Sequence, residues 1–356
     1  MYKKTIVLIL GLVIASAVIG MLWHQKKENI DNESRNVTLG ALVPITGQLT
    51  VIGENMRNGM SLAKEDLIAN GTVKNLTIIY EDACSEATSL VSTRKLIETD
   101  RIKVIASSFC LFGQDAIMSL TEANKVIIFN TTANSESLLN KKQGISTYST
   151  VAYEGEKLAE YAYYILNART AAIIYLDSSF GAGYRDAFTK QFETLGGKVL
   201  FTQTKRPISE DFKAPLIQIK NKQPDVLFIA HFGASLGYAI KQAKAIGIKS
   251  IILGEYESED TNLIRLTSGT TENMIISSPE SAIKTKKMIG FDERYQEKFG
   301  KQPDLLASNA YDGVVLQVTA FVACKGNADC MVKKLEKIKS YAGVSGIITI
   351  NQANYF

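Results

Sequence analysis

The sequence predicts an α/β protein built from two doubly wound parallel-sheet lobes that are joined by a hinge of several crossovers. Three observations carry this. Strand-like and helix-like segments alternate from Asn36 onward, the alternation restarts after Tyr148–Tyr153, and a further helical block follows the second set. Alternating β and α segments make a parallel sheet covered by helices on both faces. A chain of 356 residues with 46% hydrophobic and 21% charged residues is long enough for two such units, each with its own core.

In order, Val37–Val43 reads as an apolar strand. Glu54–Ala69 carries Met56, Met60, Ala63 and Leu67 at helical spacing and ends at Asn70-Gly71, a helix-stop signal. Leu76–Tyr80 is a strand, Ser89–Glu98 a helix, Lys103–Ala106 a strand, Gln114–Ala123 a helix and Val126–Phe129 a strand. The second set runs helix Glu154–Leu166, strand Ala171–Tyr175, helix Gly183–Leu195, strand Val199–Thr202, helix Glu210–Lys220, strand Val226–Ala230, helix Leu236–Ala245, then strands Ile251–Leu253 and Met274–Ser277. Helices at Lys284–Lys298, Ala307–Val322 and near Cys330–Tyr341, with a last strand at Gly346–Ile350, complete the chain. The extra helical block implies that the chain crosses back to the first lobe. The expected division is 1–35 as export segment and linker, 36–149 and 279–344 as lobe 1, and 150–278 and 345–356 as lobe 2.

The first 35 residues differ in kind from the rest. Lys3 and Lys4 precede an apolar run from Thr5 to Trp23, followed by His24-Gln25-Lys26-Lys27. A basic start and an apolar stretch make an export signal. Ala15-Ser16-Ala17 offers a cleavage site. The run is nonetheless nearly as long as the roughly 20 residues that span a bilayer, and Trp23 stands where an interfacial anchor would. Signal peptide and membrane anchor both stand, with the retained anchor preferred. The expected location is the periplasm or the outer face of the cytoplasmic membrane.

Beyond this segment the chain has 35 basic and 33 acidic residues. A near-neutral body without a Lys/Arg stripe has no electrostatic footprint for nucleic acid. The four cysteines, Cys84, Cys110, Cys324 and Cys330, are even in number in an exported chain and read as two local disulfides, Cys84–Cys110 and Cys324–Cys330. With only His24 and His231 in the chain, no Cys/His metal cluster is expected, and no cofactor is called for.

One motif invites an enzyme reading. Gly233-Ala234-Ser235-Leu236-Gly237 fits G-x-S-x-G between a strand and a helix. An esterase of that kind needs a histidine downstream of its serine, and none follows His231. The motif therefore reads as a small-residue turn, and His231 as a pocket or packing residue.

The informative positions are the loops at the C-terminal ends of the strands, where open α/β sheets bind ligands. In the first half these are Ser107–Gly113 and Asn130–Asn134, with Leu111, Phe112, Gly113, Thr131, Thr132 and Ala133 as candidate ligand contacts. Gly113 precedes a helix whose free N–H groups suit a carboxylate. In the second half they are Asp177–Gly183, His231–Ser235 and Gly254–Asp260, which supply Phe180, Phe232, Glu255 and Tyr256. Aromatic rings with a few polar groups in a cleft are what a small-molecule site consists of.

Several stretches carry a family resemblance. Val43-Pro44-Ile45-Thr46-Gly47, Gly53, Asn58-Gly59, Ala63, Asn70-Gly71 and Tyr80-Glu81-Asp82-Ala83-Cys84 resemble the opening of the leucine/isoleucine/valine-binding proteins of periplasmic ABC uptake systems. Thr132-Ala133-Asn134, Tyr175–Gly183, Gln242–Gly247, Leu253-Gly254 and Ala310-Tyr311-Asp312-Gly313 fit in the same order. The resemblance spans roughly Asn36 to Asn351. It implies the type I periplasmic binding fold, with three interlobe crossings and a Cys84–Cys110 pair. It implies an amino acid or amide-like solute in the cleft and delivery to an ABC permease in the cytoplasmic membrane. Position by position, the family's two carboxylate-binding hydroxyls fall on Leu111 and Ala133, and its amine-pairing acid falls on Tyr256, between Glu255 and Glu257. A site without those groups selects differently, so the expectation shifts towards an apolar or aromatic carboxylate. Members of the family continue past the strand at 346–350, so a shorter second lobe or a rearranged crossing is expected. A membrane-anchored sensor of the same fold is the alternative function.

Overall fold

The computed structural model describes residues 35–83, 86–108, 114–131, 142–206, 209–256, 267, 271, 273–278 and 283–350. Parallel strands covered on both faces must be apolar throughout, and the central strands are. β1 (Asn36–Val43) is buried from Leu39 on, and β8 (Val226–Ala230) is buried at every position.

The strands form two five-stranded, all-parallel sheets. The first has the order β2-β1-β3-β4-β5, with β2 Asn75–Asp82, β3 Val104–Ser108, β4 Ile127–Asn130 and β5 Gly144–Ser146. The second has the order β7-β6-β8-β9-β10, with β6 Thr170–Leu176, β7 Lys198–Lys205, β9 Ile251–Gly254 and β10 Ile275–Ile276. Counted within each sheet, both orders are 2-1-3-4-5. The winding direction reverses between the first and third strand, and the crevice at that reversal is where such sheets hold ligands.

The flanking helices follow from periodic burial. In α1 (Thr50–Ala69) the buried residues Met56, Gly59, Met60, Ala63 and Leu67 make one stripe, and Gly71, at φ 73°, lies just past its end. The first sheet also carries α2 (Glu86–Arg94), which widens into one looser turn at Lys95–Thr99, and α3 (Gln114–Ala123). The second carries α4 (Val151–Tyr164), α5 (Ser179–Thr194), α6 (Lys213–Lys222) and α7 (Gly233–Ile246).

Three more helices, α8 (Lys286–Phe299), α9 (Leu305–Cys324) and α10 (Ala328–Leu335), return to the first sheet. α9 packs along α1 so closely that a Cβ on Gly59 would lie 2.0 Å from the carbonyl oxygen of Ala307. Asp66 on α1 receives two hydrogen bonds from the Arg294 guanidinium on α8, at 2.8 and 2.7 Å, and one from the Tyr311 hydroxyl on α9, at 2.5 Å. α9 is the one helix among the described residues that is long and apolar enough to cross a membrane, and 72% of its most apolar window is buried inside the protein. It is a core helix. Cys324 and Cys330 form a disulfide between its last turn and α10.

The described residues end in an antiparallel ribbon of β11 (Tyr341–Ala342) and β12 (Ile347–Ile348). Asp312 on α9 accepts from the Val344 N–H at 3.1 Å, the Ser345 N–H at 2.8 Å and the Ser345 hydroxyl at 2.7 Å, which pins the turn of the ribbon to the helix.

The expected elements are present with shifted ends. The strand expected at 346–350 is two residues long and pairs with 341–342, and the helix expected near 330–341 occupies 328–335. β5 was not foreseen. Three residues, Gly-Ile-Ser, are too few to show a period, and only pairing with β4 makes them a strand.

Candidate functional site

The two switch points put the loops after β1 and β3 at the mouth of one sheet, and those after β6 and β8 at the mouth of the other. After β1, Asp82 at the end of β2 holds the loop. Its carboxylate accepts from the Ile45 N–H at 2.8 Å and the Thr46 hydroxyl at 2.5 Å. Partial burial pushes this carboxyl up, but the hydrogen bonds from Thr46, Ile45 and Ala83 outweigh it and hold it below the usual range. The loop after β3, with Leu111, Phe112, Gly113 and Cys110, lies outside the described residues, as do Thr132, Ala133 and Cys84. Thr131 is described and buried, with its methyl group facing Gly313 of α9.

The second sheet presents an aromatic cluster. Ser178 caps α5 by accepting from the Gly181 N–H at 3.2 Å, which sets Phe180 in the first turn. Phe180 meets Phe232, just after β8, with ring centroids 6.5 Å apart, and meets Tyr184 edge-on at 5.0 Å. Glu255 and Tyr256 follow β9 and are buried. The Tyr256 ring lies 5.2 Å from that of Tyr148, on the crossing that leads from β5 into α4. Phe180, Phe232, Glu255 and Tyr256 therefore all sit at the C-terminal ends of strands in one sheet.

Beside them lies a buried carboxyl that the sequence reading did not single out. Glu154, on α4, accepts from the Ser149 hydroxyl on the first crossing, from the Tyr184 hydroxyl on α5 at 2.6 Å and from the Ser277 hydroxyl after β10 at 3.4 Å. Burial pushes this carboxyl up to about 7, against the three hydrogen bonds, which pull it down. Tyr148 and Tyr184 are raised well above the ordinary phenol value, first by burial and then by the nearby Glu154. A signal for Glu154 exists in the sequence. It shares the buried face of α4 with Val151, Leu158 and Ala162, where an acid is out of pattern.

His231 is not a base for Ser235. Its Nδ1 accepts from the Phe232 N–H at 3.0 Å, so Nε2 carries the proton and donates to the Arg206 carbonyl at 3.2 Å. Burial lowers its pKa and keeps the ring neutral. Ser235 accepts from the Ser209 N–H at 2.9 Å. The G-x-S-x-G match is a turn into α7, with Gly233 at φ 58°. A separate recess of about 470 Å³ opens at the C-terminal ends of β6 and β7. Asp177, Lys205, Arg206 and Asp211 make it strongly charged, and it sits at the sheet edge, away from the switch point. Among the described residues no cluster of ligating side chains could hold a metal ion.

Two lobes of like topology, with an aromatic cluster at the switch point of one and crossings beside it, define a two-lobed solute-binding protein. The chain belongs to the periplasmic binding protein family, whose model matches residues 36–354. Its members are binding proteins, not enzymes. A Leu/Ile/Val-binding protein homologue from Brucella melitensis is 21% identical over 325 residues, covering 89% of this chain and 88% of the relative. A leucine-binding protein from Thermotoga maritima superposes with a TM-score of 0.83 at 21% identity, covering 89% of this chain and 92% of that one. An ABC-transporter solute-binding protein from R. palustris, in complex with benzoate, superposes with a TM-score of 0.80 at 16% identity, covering 90% of each chain.

Proposed function

We propose that this chain is the exported receptor of an ABC-type uptake system and closes its two lobes on a small apolar or aromatic carboxylate. The observation that carries the reading is the lobe-2 cluster of Phe180, Phe232 and Tyr256, backed by Tyr148. Three rings at the ends of adjacent strands favour a flat or branched apolar body. Leu111, Phe112, Gly113, Thr132 and Ala133 complete the site from lobe 1, with the helix N-terminus after Gly113 receiving the carboxylate. The lobes consist of 36–149 with 279–344, and 150–278; residues 345–350, expected in lobe 2, pack instead with lobe 1, because Asp312 on α9 holds Ser345 and β12 pairs with β11. Cys84 and Cys110 pair at the lobe-1 rim. Segment 1–35 exports the chain and tethers it to the outer face of the cytoplasmic membrane, where a permease reads the closed form. The relatives bind leucine or benzoate by their names, and both chemistries fall within this reading.

Thermal unfolding of the purified full chain with benzoate, L-leucine and small amides tests it. A solute at 100-fold excess over its Kd stabilises by about 2.7 kcal/mol. Benzoate is expected to act more strongly than leucine, because Leu111 and Tyr256 replace the groups that hold an amino acid. A larger shift with leucine overturns the aromatic preference. No shift with any compound, and no bound molecule in native mass spectrometry, overturns the uptake reading.

A further inference from the structure

We propose that Glu154 is a positioning residue that ties the lobe-2 ligand loops to two of the interlobe crossings, and that it does so in a proton-dependent way. Its carboxyl is bonded at once to the first crossing (Ser149), to a lobe-2 helix (Tyr184 on α5) and to the start of the second crossing (Ser277). From there the packing is continuous. Tyr184 meets Phe180, Phe180 meets Phe232, and Tyr148, one residue from Ser149, meets Tyr256. Any lobe rotation must turn about the crossings, so the bonds at Glu154 are made or strained as the lobes move.

The groups facing Glu154 make its charge matter. Tyr148 faces it from the crossing and Tyr184 from α5, and Glu255 and Tyr256, after β9, act in turn on both tyrosines. Among the described residues no Lys, Arg or His pairs with Glu154. The Tyr148 hydroxyl is buried without a hydrogen-bond partner among them. The carboxylate is therefore stabilised by three hydroxyl donors and by no cation. An arrangement that seals Glu154 from water binds a proton more tightly than one that admits water. Acid favours the sealed arrangement, and opening releases a proton. With the sealed group titrating at about 7 and the solvated one in the ordinary carboxylate range, the ratio of sealed to open changes about tenfold between pH 6 and pH 8.

This rests on the closing-lobe reading, but its test needs no solute. Amide hydrogen exchange of the ligand-free full chain is measured at 147–150 and 276–278 at pH 6, 7 and 8, corrected for intrinsic rates. Protection about tenfold greater at pH 6 than at pH 8 is expected in the wild type. It becomes pH-independent in Glu154→Gln. Ser277→Ala keeps the carboxyl but removes a donor to its charged form, so its midpoint moves to higher pH. A wild-type response that persists in Glu154→Gln, or no response in the wild type, overturns the proposal. If Glu154→Gln does not fold, an unmoved midpoint in Ser277→Ala overturns it. Failure of all solutes to bind leaves these outcomes readable, so the two readings fail separately.

Discussion

Gly59 and Gly290 are both helical glycines facing different surroundings, and the same substitution at each has opposite consequences. Replacing a helix-interior glycine by alanine gains about 1 kcal/mol of backbone preference when nothing else changes. At Gly290 on α8 an added Cβ meets nothing within 4 Å. Gly290→Ala should therefore stabilise by about 0.5–1 kcal/mol. At Gly59 the added Cβ lies 2.0 Å from the Ala307 oxygen, 2.8 Å from its carbonyl carbon and 3.1 Å from its Cα. These are backbone atoms of a buried helix, so no side chain can rotate away. α9 has to shift by more than an ångström to restore contact distance. Overpacking of this kind costs about 1–3 kcal/mol, and more where backbone must move. Even after the helix-preference gain, Gly59→Ala should destabilise by about 1–2 kcal/mol. Urea unfolding at 25 °C, followed by circular dichroism, reads both variants on one scale through the midpoint at constant m. If Gly59→Ala matches or exceeds the wild type, the α1–α9 contact is not the close approach described. Shifts of the same sign in both variants would also refute the reasoning.

Three further outcomes are expected. A carboxyl raised in the folded state contributes stability in acid that is lost as pH rises from its unfolded value to its folded one. For Glu154 that window runs from 4.5 to about 7, and the pH-dependent part amounts to about 3 kcal/mol. Wild type should lose that much relative to Glu154→Gln between pH 4.5 and pH 8 in paired denaturant titrations, and a constant difference would count against it. Asp312→Ala removes the acceptor of two N–H groups and one hydroxyl at the ribbon turn. It should cost about 2–4 kcal/mol, with faster amide exchange at 344 and 345 as the local sign. Reducing Cys324–Cys330 opens a loop of sequence separation 6. By chain entropy this should cost roughly 2 kcal/mol, measured as a midpoint shift between the wild type and a Cys324→Ser, Cys330→Ser double variant.

Much of the fold could be read locally. The α1 stripe of Met56, Met60, Ala63 and Leu67 and the apolar runs 37–43 and 226–230 announce their own periods. The restart after Tyr148 announces the second lobe. Pairing could not be read in this way. β5 is three residues long, and it is a strand only because β4 lies beside it, whereas β10 falls inside the strand expected at 274–277. The site divides similarly. Phe180, Phe232 and Tyr256 stood out because loops after parallel strands are where ligands bind, and that rule needs only strand direction. Glu154 shows in the sequence only as an acid out of pattern on the apolar face of α4, and what it bonds to depends on residues far along the chain.

Sequence alone determined the two-lobed parallel architecture and the aromatic character of the lobe-2 loops. These depend on composition, period and order along the chain. Tertiary structure alone decided that Gly59 meets Ala307, that Asp312 holds the terminal ribbon and that Ser149, Tyr184 and Ser277 converge on Glu154. Ser277 and Glu154 lie 123 residues apart. The bond between them, and the raised pKa it accompanies, come from burial at a crossing, and no local pattern encodes burial by a distant part of the chain.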